Sequence, residues 1–413
     1  MSSIVIDRLT SHDVRFTLQP GEGSDAVHSN PQYSFATTYL KASRGFTGTG
    51  LTLTMGTGNN VVCNVIDLFA PRIEGRELEE LMAGFGDAFR ALADDAQLRW
   101  LGPHKGAVHL ALASITNACF DLWAKARGVP LWRLLLDLEP AEVIRLLDLS
   151  YLEDVMSEKD ALEILDSSGP SRSSREGVLK LGYPGYDTSV GWFRYDDHQI
   201  RENARRAMDQ GFGAFKLKVG ASASNRDVRR ASILRGVVGP EARIMLDANQ
   251  QWTLPKAIQV CRELAPISPY WIEEPTHPDD VFAHQRLARE IAPISVALGE
   301  HVPNRVVFKN YLQAGCVNFL QVDCTRVGGV SEFLTISLLA RKFGVPVVPH
   351  IGDMGQIHQH LVLFNHIAMA HPVVFLEHIP HLQQWFVEPV RLRDGVYATP
   401  QEPGSSSGLK DLG

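Results

Sequence analysis

The sequence predicts an α/β protein in which a (β/α)8-type barrel follows an N-terminal α+β capping domain. Three observations lead to this fold class. The chain of 413 residues exceeds what one hydrophobic core usually serves, so two packed units are expected. From about Tyr183, short apolar runs alternate with longer amphipathic stretches, a pattern typical of parallel strands joined by helices. Each of these apolar runs ends in an ionisable residue.

The predicted barrel begins with a strand near GYPGYDTS. Seven further apolar runs follow it, and eight strand-helix units close most simply into a barrel, here a modified TIM barrel. The seven runs are AFKLKV, RIMLD, PYWIEE, SVALGE, NFLQVD, VPVVPH and VVFLEH.

The chain before the barrel has the pattern of a separate unit. The strand-like runs VRFTL, YSFATTYLKA and GLTLTMG are separated by Gly-rich turns, and helical stretches closed by Gly128 and Pro130 come after them. The loops at 21–33 and 55–60 lack the spacing of phosphate-binding loops, so we interpret them as turns. The expected segments are the α+β capping domain at 1–137, a polar connector with one or two short helices at 138–180, the barrel at 181–384 and a two-stranded C-terminal segment returning to the cap at 385–413.

Composition and charge exclude several function classes. The net charge is −7 and no run of Lys and Arg is longer than a pair, which argues against nucleic-acid binding. The five cysteines are scattered without a CxxC pair, so we expect reduced core residues. No apolar run approaches the ~20 residues that span a bilayer, and no signal-peptide pattern is present. We expect a cytoplasmic homo-oligomer that binds a small molecule and neither nucleic acid nor membrane.

Seven ionisable residues stand at the ends of the barrel runs. They lie 29, 26, 27, 23, 27 and 27 residues apart, which is one strand-helix unit each time. Strand ends of a barrel meet at one mouth, and the C-terminal mouth carries the active site of barrel enzymes. A single strand-end carboxylate is more often a helix cap, but seven in succession favour a site. The seven residues are Lys218, Asp247, Glu273, Glu300, Asp323, His350 and Glu377.

Three carboxylates on neighbouring strands, those of Asp247, Glu273 and Glu300, predict a metal site. Crowded carboxylates repel each other and take up protons unless a cation lies among them. Oxygen ligands without Cys or His favour a hard ion such as Mg²⁺, which keeps positions open for water and substrate. Of the adjacent Glu273 and Glu274, the period-two alternation of a strand turns only one inward, and the spacing favours Glu273.

Basic residues flank the predicted metal site. Lys216 and Lys218 face the same side of one strand, so each is expected to lower the pKa of the other towards that of a general base. His350 alone would more often be a core or turn residue, but Asp323 on the preceding strand can orient its imidazole and raise its proton affinity. Glu377 is expected to hydrogen-bond an oxygen on which charge develops. A metal, a lysine and a His-Asp pair suit removal of a proton next to a carboxylate.

With these residues in place, the sequence resembles the mandelate racemase subgroup of the enolase superfamily over nearly its whole length. Within the subgroup it is most similar to the L-fuconate dehydratases, through HDVRF, GSDA, QLRWLGPHKG, NRVVFK and RVGGV. The motifs that carry the broader resemblance are FKLKVG, LDANQQW, WIEEP, LGEH, QVD and VVPH, together with FDLWAKARGVPLWRLL in the capping domain.

The resemblance implies a sugar-acid dehydratase with Mg²⁺ on the three carboxylates. Lys218 would take the proton from C2 of an aldonate, and His350, held by Asp323, would protonate the departing 3-hydroxyl to give a 2-keto-3-deoxy acid. The loops at 21–33 and 55–60 would select the sugar chain. The residues implied to contact the substrate are Lys216, Asn249, His301, Asp25 and Tyr33.

One segment departs from the family pattern. After His350 the chain reads IGDMGQIHQH, where the family has a Gly-rich segment and a Cys-Glu pair, so galactonate, arabinonate, lyxonate or an aldarate remain alternatives to L-fuconate. We expect His358 and His360 in this segment to be solvated helix residues. A racemase or epimerase with the same two bases is an alternative activity. A non-catalytic binding protein is a remote alternative, because no metal ligand or base is missing.

Overall fold

The structure is a computed structural model that describes residues 3–372 and 375–410. Its N-terminal unit is an antiparallel three-stranded sheet, in the order β1-β2-β3, covered by helices. The elements of this unit are β1 (Ile6–Arg15), β2 (Ser34–Ala42), β3 (Thr47–Thr54), α1 (Asn59–Ile73), α2 (Leu78–Ala83), α3 (Phe85–Ala93), α4 (Gly106–Arg127) and α5 (Leu131–Leu136).

Helix α4 is the central helix of the cap. Its 22 residues are long and apolar enough to cross a membrane by length and composition, but most of the helix is buried inside the protein. The hydroxyl of Ser114 donates to the carbonyl oxygens of Ala36 and Gly50, which ties the helix to the sheet. A Cβ on Gly50 would lie 1.9 Å from the carbonyl oxygen of Ser114. Glycine is therefore required for this close approach of helix and strand.

The connector contains more regular structure than the sequence predicted. Its helices are α6 (Pro140–Arg145), α7 (Glu158–Ser168), α8 (Arg172–Arg175) and α9 (Val178–Leu181). The expectation of one or two short helices is therefore wrong. Polar residues that suggested a linker instead cap these helices. The Ser157 side chain accepts from the Asp160 backbone while Asp160 bonds back to Ser157, which forms a capping box.

The second unit is built from parallel strands that alternate with helices. The strands pair in the order β4-β5-β6-β7-β8-β9, and β10 pairs in parallel with β4, which brings the last strand back to the first. Its elements are β4 (Tyr183–Gly191), α10 (Asp197–Asp209), β5 (Ala214–Lys218), α11 (Ser224–Val238), β6 (Arg243–Asp247), α12 (Leu254–Leu264), β7 (Trp271–Glu273), α13 (Val281–Ile291), β8 (Val296–Leu298), α14 (Arg305–Ala314), β9 (Phe319–Leu320), α15 (Val330–Phe343), α16 (Gln356–Met369) and β10 (Leu376–His378).

The run VPVVPH forms only a single parallel bridge, between Val347 and Leu320, rather than a full strand. Pro346 and Pro349 lack the N–H group that a ladder needs, so pairing is limited to the residues between them. The run still occupies the place of a barrel strand, since the Val348 N–H donates to the Leu320 carbonyl. The first two residues of the predicted strand VVFLEH lie outside the described residues.

The C-terminal segment contacts both units. Strands β11 (Leu392–Arg393) and β12 (Val396–Tyr397) form a hairpin whose second strand pairs antiparallel with β4. Further along, the Ser405 N–H donates to the Asp121 carboxylate of α4. Short 3₁₀ turns lie at Ser43–Gly45, Leu98–Leu101, Gly169–Ser171, Ala265–Ile267 and Gln383–Trp385. All five cysteines are free and buried, as expected.

A buried charge network joins the cap to the barrel. His109 of α4 lies 2.6 Å from Glu332 of α15, and Glu332 also pairs with Arg305 of α14 at 3.0 Å. Arg305 reaches Asp148 in the connector at 2.5 Å. All four side chains are buried. A buried ionic group without its partner is strongly destabilising, so the network fixes how the cap sits on the barrel.

Replacing Gly50 with alanine is expected to lower the free energy of unfolding by about 1–3 kcal/mol, because the added methyl overlaps the backbone of α4. Gly236, in a barrel helix, is the matched control, since a Cβ there meets nothing within 4 Å. Gly236→Ala should be neutral or stabilising by up to about 1 kcal/mol. Chemical unfolding of both variants checks this, and equal destabilisation would contradict the proposed close contact.

Candidate active site and metal centre

A cavity of about 390 Å³ opens at the C-terminal ends of the barrel strands, beneath the loops of the cap. It brings together nine of the residues that the sequence predicted to form the site. Asp247 and Glu273 lie beneath these lining residues in contact with the lysines, and Asp323 lies behind His350. The nine lining residues are Asp25, Tyr33, Lys216, Lys218, Asn249, Glu300, His301, His350 and Glu377.

Strand register explains only part of this convergence. Lys218, Asp247 and Glu273 are aligned side by side on β5, β6 and β7. Glu300 and Asp323 instead follow the last residues of β8 and β9 by two and three positions, so loops carry them to the site. The predicted convergence of the seven residues at one mouth is found, but not all of them stand at the last position of a strand.

The carboxylates of Asp247, Glu273 and Glu300 offer oxygen atoms within 4.8 Å of one another. Burial, together with the nearby Asp247, raises the pKa of Glu273 to about 8. Glu300 Oε2 is buried without a hydrogen-bond partner, although His350 Nε2 lies 3.1 Å away in poor alignment. Three converging oxygens, one of them unsatisfied, fit a hard divalent cation such as Mg²⁺.

Two other groups of possible ligands lie nearby. Glu274, Glu300 and His301 form one of them, with His301 Nδ1 2.9 Å from Glu274. Partial burial lowers the pKa of His301, but Glu274 and Glu300 outweigh it and raise the pKa to about 10. The imidazole of His301 faces the Glu274 carboxylate directly, so we interpret this contact as an ion pair. The other group contains Asp323, Cys324 and His358.

The two lysines face carboxylates directly. Lys218 Nζ lies 2.6 Å from Asp247 Oδ2, while Lys216 Nζ lies 3.2 Å from the same oxygen and 2.5 Å from Glu273 Oε1. Burial lowers the pKa of both lysines, but these carboxylates outweigh it and raise the pKa of both above the ordinary value. The expected lowering of the lysine pKa is wrong for the protein's own groups, because the effect of the carboxylates of Glu273, Glu377 and Asp247 exceeds the repulsion between the two lysines.

His350 and Asp323 form the predicted pair. His350 Nδ1 lies 2.7 Å from Asp323 Oδ2, which leaves Nε2 facing Glu300 and the cavity. Burial lowers the pKa of His350, but Glu300 and Asp323 outweigh it and raise the pKa to about 9. The expectation that Asp323 orients this imidazole and raises its proton affinity is confirmed.

Glu377 and Asn249 complete the polar floor of the cavity. Glu377 Oε1 accepts from the Thr188 hydroxyl at 2.6 Å and from Lys216 at 3.2 Å, and its Oε2 is buried without a hydrogen-bond partner. The Asn249 N–H donates to Asp247 Oδ1, while the Asn249 side-chain oxygen has no hydrogen-bond partner. Each of these two cavity-lining residues thus has one buried polar atom without a hydrogen-bond partner.

The cap supplies the roof of the cavity. Asp25 and Tyr33 line it from the 21–33 loop, and Met55 lines it from the 55–60 loop. The Asp25 carboxylate accepts from the backbone N–H groups of Val27 and His28, which holds the 21–33 loop in its own turn. Asp25 therefore shapes the loop as well as facing the cavity.

The prediction for His358 and His360 is wrong, because both side chains are fully buried. His358 packs behind Asp323, and His360 Nδ1 accepts from the Trp132 backbone N–H. Nearly every residue of α16 is covered by neighbouring elements, so its polar residues do not form a solvent-exposed face.

Among the cavity residues that were not predicted from the sequence, three carry a polar or aromatic side chain beside the proposed bases or ligands: Thr188, Trp192 and Arg326. Thr188 lies in β4 and could have been found as the polar residue of the first barrel strand, which had been assigned none. Trp192 places its ring 5.7 Å from Lys218 Nζ. Arg326 lines the cavity and donates to the Glu300 and Leu53 carbonyls. Nothing in the sequence pattern singled out Trp192, and Arg326 stood out only as the first residue of the RVGGV motif.

Comparison with known proteins identifies the family. Residues 199–411 match the family described as enolase C-terminal domain-like. L-galactonate dehydratase of Hypocrea jecorina is 38% identical over 419 residues, covering 99% of this chain and 93% of that protein. The chain belongs to the enolase superfamily. The predicted superfamily and fold class are thus confirmed, whereas these names do not support the finer resemblance to the L-fuconate dehydratases.

Two solved structures share this enolase superfamily fold. Human mitochondrial enolase superfamily member 1 has a TM-score of 0.95 and 40% identity, covering 99% of this chain and 95% of that chain. L-talarate/galactarate dehydratase of Salmonella typhimurium LT2, crystallised with Mg and L-lyxarohydroxamate, has a TM-score of 0.78 and 24% identity, covering 99% and 92% of the two chains. The first combines the same fold with substantial sequence identity over nearly the whole chain, and the second shows the fold.

Proposed function

We propose that this protein is a Mg²⁺-dependent dehydratase of a sugar acid, removing the proton next to the carboxylate and expelling the 3-hydroxyl to leave a 2-keto-3-deoxy acid. The observation that carries the proposal is the position of two bases on either side of the carboxylate trio. Lys218 contacts Asp247 at one end, and His350 lies beside Glu300 at the other. The dehydratase names of the relatives support the same reaction class.

Asp247, Glu273 and Glu300 would hold the divalent cation. When bound there, the cation would neutralise the negative charge that develops on the substrate carboxylate as the α-proton leaves. Its charge would also compete with the lysines for Asp247 and Glu273, which removes the contacts that raise the lysine pKa values. Lys218 then has a route to the neutral amine that a general base needs.

The proposed reaction moves one proton at each end of the site. Lys218 Nζ takes the proton from C2, and the C2–H electron pair becomes part of an enediolate. The C3–O bond then breaks as His350 Nε2 donates a proton to the hydroxyl, so that water leaves and the resulting enol becomes the 2-keto acid. Asp323 stabilises the imidazolium form of His350 that donates this proton. Lys216, Asn249 and Glu377 would bind the substrate carboxylate and hydroxyls.

A panel of sugar acids incubated with Mg²⁺ tests the proposal. Dehydration gives a 2-keto-3-deoxy product that reacts with semicarbazide. An epimerase with the same two bases would instead return the input acid with C2 scrambled and, in deuterium oxide, labelled. Semicarbazide-reactive product from at least one aldonate supports the dehydratase. Exchange at C2 without that product from any acid would favour the epimerase. If none of the acids showed dehydration or C2 exchange, the proposal would be overturned.

Within the panel we propose an aldonate of the L-galacto series. L-Fuconate is 6-deoxy-L-galactonate, so the acid suggested by the sequence and the acid in the relative's name differ only at C6. An apolar corner lies beside His350, where the sugar chain would extend beyond C3. Ile351 and Met354 are linked by a backbone hydrogen bond, and Gln383 bonds the carbonyls of both Met354 and Ile379.

This corner predicts a preference for the 6-deoxy acid. The catalytic efficiency kcat/KM with L-fuconate should exceed that with L-galactonate by about tenfold, because an apolar wall discriminates only modestly against an added hydroxyl. Met354→Gln should narrow the difference by offering a polar partner to the C6 hydroxyl. Steady-state kinetics with both acids check this prediction, and a preference for L-galactonate by the unmodified enzyme would contradict it.

The cytoplasmic location and the homo-oligomeric state stay predictions.

A further inference from the structure

A chain of four acidic and imidazole groups extends from the cavity into the buried interior of the protein. It begins with His350, whose Nδ1 lies 2.7 Å from Asp323 Oδ2. Behind Asp323 lies His358, with Nε2 3.3 Å from Asp323 Oδ1, and behind His358 lies Asp353, with Oδ1 2.7 Å from His358 Nδ1. Asp323, His358 and Asp353 are fully buried. The proposed proton transfer needs only the first two members, so the other two require an explanation.

The loop after His350 wraps around the Asp323 carboxylate. Oδ2 accepts from the Gly352 N–H at 2.8 Å as well as from His350, and Oδ1 accepts from the Thr325 N–H and hydroxyl, both at 2.7 Å. A Cβ on Gly352 would lie 2.7 Å from Asp323 Oδ2, so a side chain there would displace the carboxylate. The carboxylate is thus held in one orientation, with Oδ2 aimed at His350.

A metal does not account for the inner groups. Asp323, Cys324 and His358 offer ligand atoms within 4.8 Å of one another, but both oxygens of Asp323 and both ring nitrogens of His358 already have protein partners. Burial raises the pKa of Cys324 to about 12, so its sulfur is a neutral thiol and a poor ligand. These side chains form a closed hydrogen-bond network.

His358 ties this network to the backbone at Asp323. Its Nε2 lies 3.1 Å from the Cys324 backbone nitrogen. The neighbouring carboxylates of Asp323 and Asp353 favour a protonated ring, whereas the Cys324 N–H points at Nε2 and needs a lone pair there. The backbone fixes the direction of that N–H, so we assign a neutral ring that accepts from Cys324 and donates through Nδ1 to Asp353. In either form His358 bonds the 323–324 segment.

We propose that His358, held by Asp353, is a positioning residue that fixes Asp323 and, through it, the orientation of His350. Asp353 also accepts from the N–H groups of Gly355 and Ile357, so it holds the start of α16, the helix that carries His358. The segment that departs from the family pattern thereby supports the His-Asp pair from behind. This inference rests on the proposed function for its kinetic consequences, whereas the geometry that it describes does not.

The kinetic test compares three variants of the Mg²⁺-loaded enzyme. His358→Met removes both polar nitrogens at similar size, His358→Gln keeps a group that can bond Cys324, and His360→Gln alters another buried histidine of α16 that faces Trp132 instead. His358→Met should lower kcat by about tenfold or more with little change in KM, a magnitude typical of residues that orient a catalytic group. His358→Gln should recover most of this loss, and His360→Gln should match the unmodified enzyme.

The ratio of C2 exchange to dehydration separates misplacement of His350 from partial unfolding of the enzyme. In deuterium oxide, Lys218 can still exchange the C2 proton when the hydroxyl departs slowly, so His358→Met should show more exchange per dehydration than the unmodified enzyme. Partial unfolding would lower exchange and dehydration together and leave the ratio unchanged. An unchanged ratio in His358→Met, or equal losses in His358→Met and His358→Gln, would overturn the inference.

Proton NMR reads the same geometry without a substrate. The strongly hydrogen-bonded Nδ1 proton of His350 should give a low-field signal that His350→Asn lacks, which identifies it. That signal should persist in His360→Gln and in His358→Gln but shift or disappear in His358→Met. Retention of an unshifted signal in His358→Met would overturn the positioning role. If no sugar acid is turned over, the proposed function fails, and the NMR result alone decides the positioning role.

Discussion

Replacement of Lys218 by alanine is expected to reduce sugar-acid dehydration by about 10³-fold or more, because general-base catalysis contributes about 10²–10⁴-fold and the abstracted proton has no other acceptor at this position. The same variant should lose exchange of the C2 proton with solvent. Lys218→Arg should be equally inactive. It keeps a positive charge beside Asp247, but a guanidinium stays protonated and cannot serve as the base. Product formation and deuterium exchange, measured together, check both variants.

His350→Asn provides the complementary result. It should lose dehydration to a similar degree, because no acid remains for the departing hydroxyl, while Lys218 still exchanges the C2 proton. Thermal unfolding of all three variants should remain close to that of the unmodified protein, which separates loss of a base from loss of fold. Normal dehydration by Lys218→Ala would show that Lys218 is not the base. Loss of C2 exchange in His350→Asn, with exchange retained in Lys218→Ala, would show that the two residues have the opposite roles.

Asp247→Asn and Glu300→Gln are each expected to weaken divalent-cation binding by about 10-fold or more and to lower dehydration correspondingly, because each removes a charged oxygen ligand that Mg²⁺ requires. Isothermal titration with Mg²⁺ measures the binding directly. Asp247→Asn also removes the partner of Lys218, so its activity loss alone would be ambiguous. The binding measurement resolves that ambiguity.

Glu274→Gln is the matched control for this prediction. Glu274 is a buried carboxylate next to Glu273, but its hydrogen bonds are to His301 and Gln250, and it does not belong to the trio. Mg²⁺ affinity should therefore be nearly unchanged in Glu274→Gln. Loss of binding in Glu274→Gln with retention in Asp247→Asn would place the ion in the neighbouring group of Glu274, Glu300 and His301.

The sequence predicted the barrel and the site because both depend on a regular repeat. The intervals between Lys218, Asp247 and Glu273 equal one strand-helix unit, and these residues are aligned in the sheet. Glu300 and Asp323 lie in loops but still fit the repeat, because the spacing along the sequence does not depend on whether a residue pairs in the sheet. The reduction of VPVVPH to a bridge was foreseeable from its two prolines.

Other features depend on contacts that no spacing encodes. The raised lysine pKa values follow from side-chain contacts, with Glu273, Glu377 and Asp247 around Lys216 and with Asp247 beside Lys218, and these contacts cannot be derived from the strand order. The burial of His358 depends on the elements that cover α16. A helix with both polar and apolar residues is predicted to have a solvent-exposed face unless those covering elements are known. Arg326 reaches the cavity by spanning from Glu300 to Leu53 of the cap, a long-range contact.

The central claim is that one divalent ion binds between three carboxylates with a base at either side. A crystal soaked with Mn²⁺ tests it most directly, because anomalous scattering locates the ion without reference to activity. We expect an anomalous peak bounded by Asp247, Glu273 and Glu300 and none within the network of Asp323, Cys324 and His358. A map with no peak at the trio, or with its peak at Glu274 and His301 instead, would contradict it.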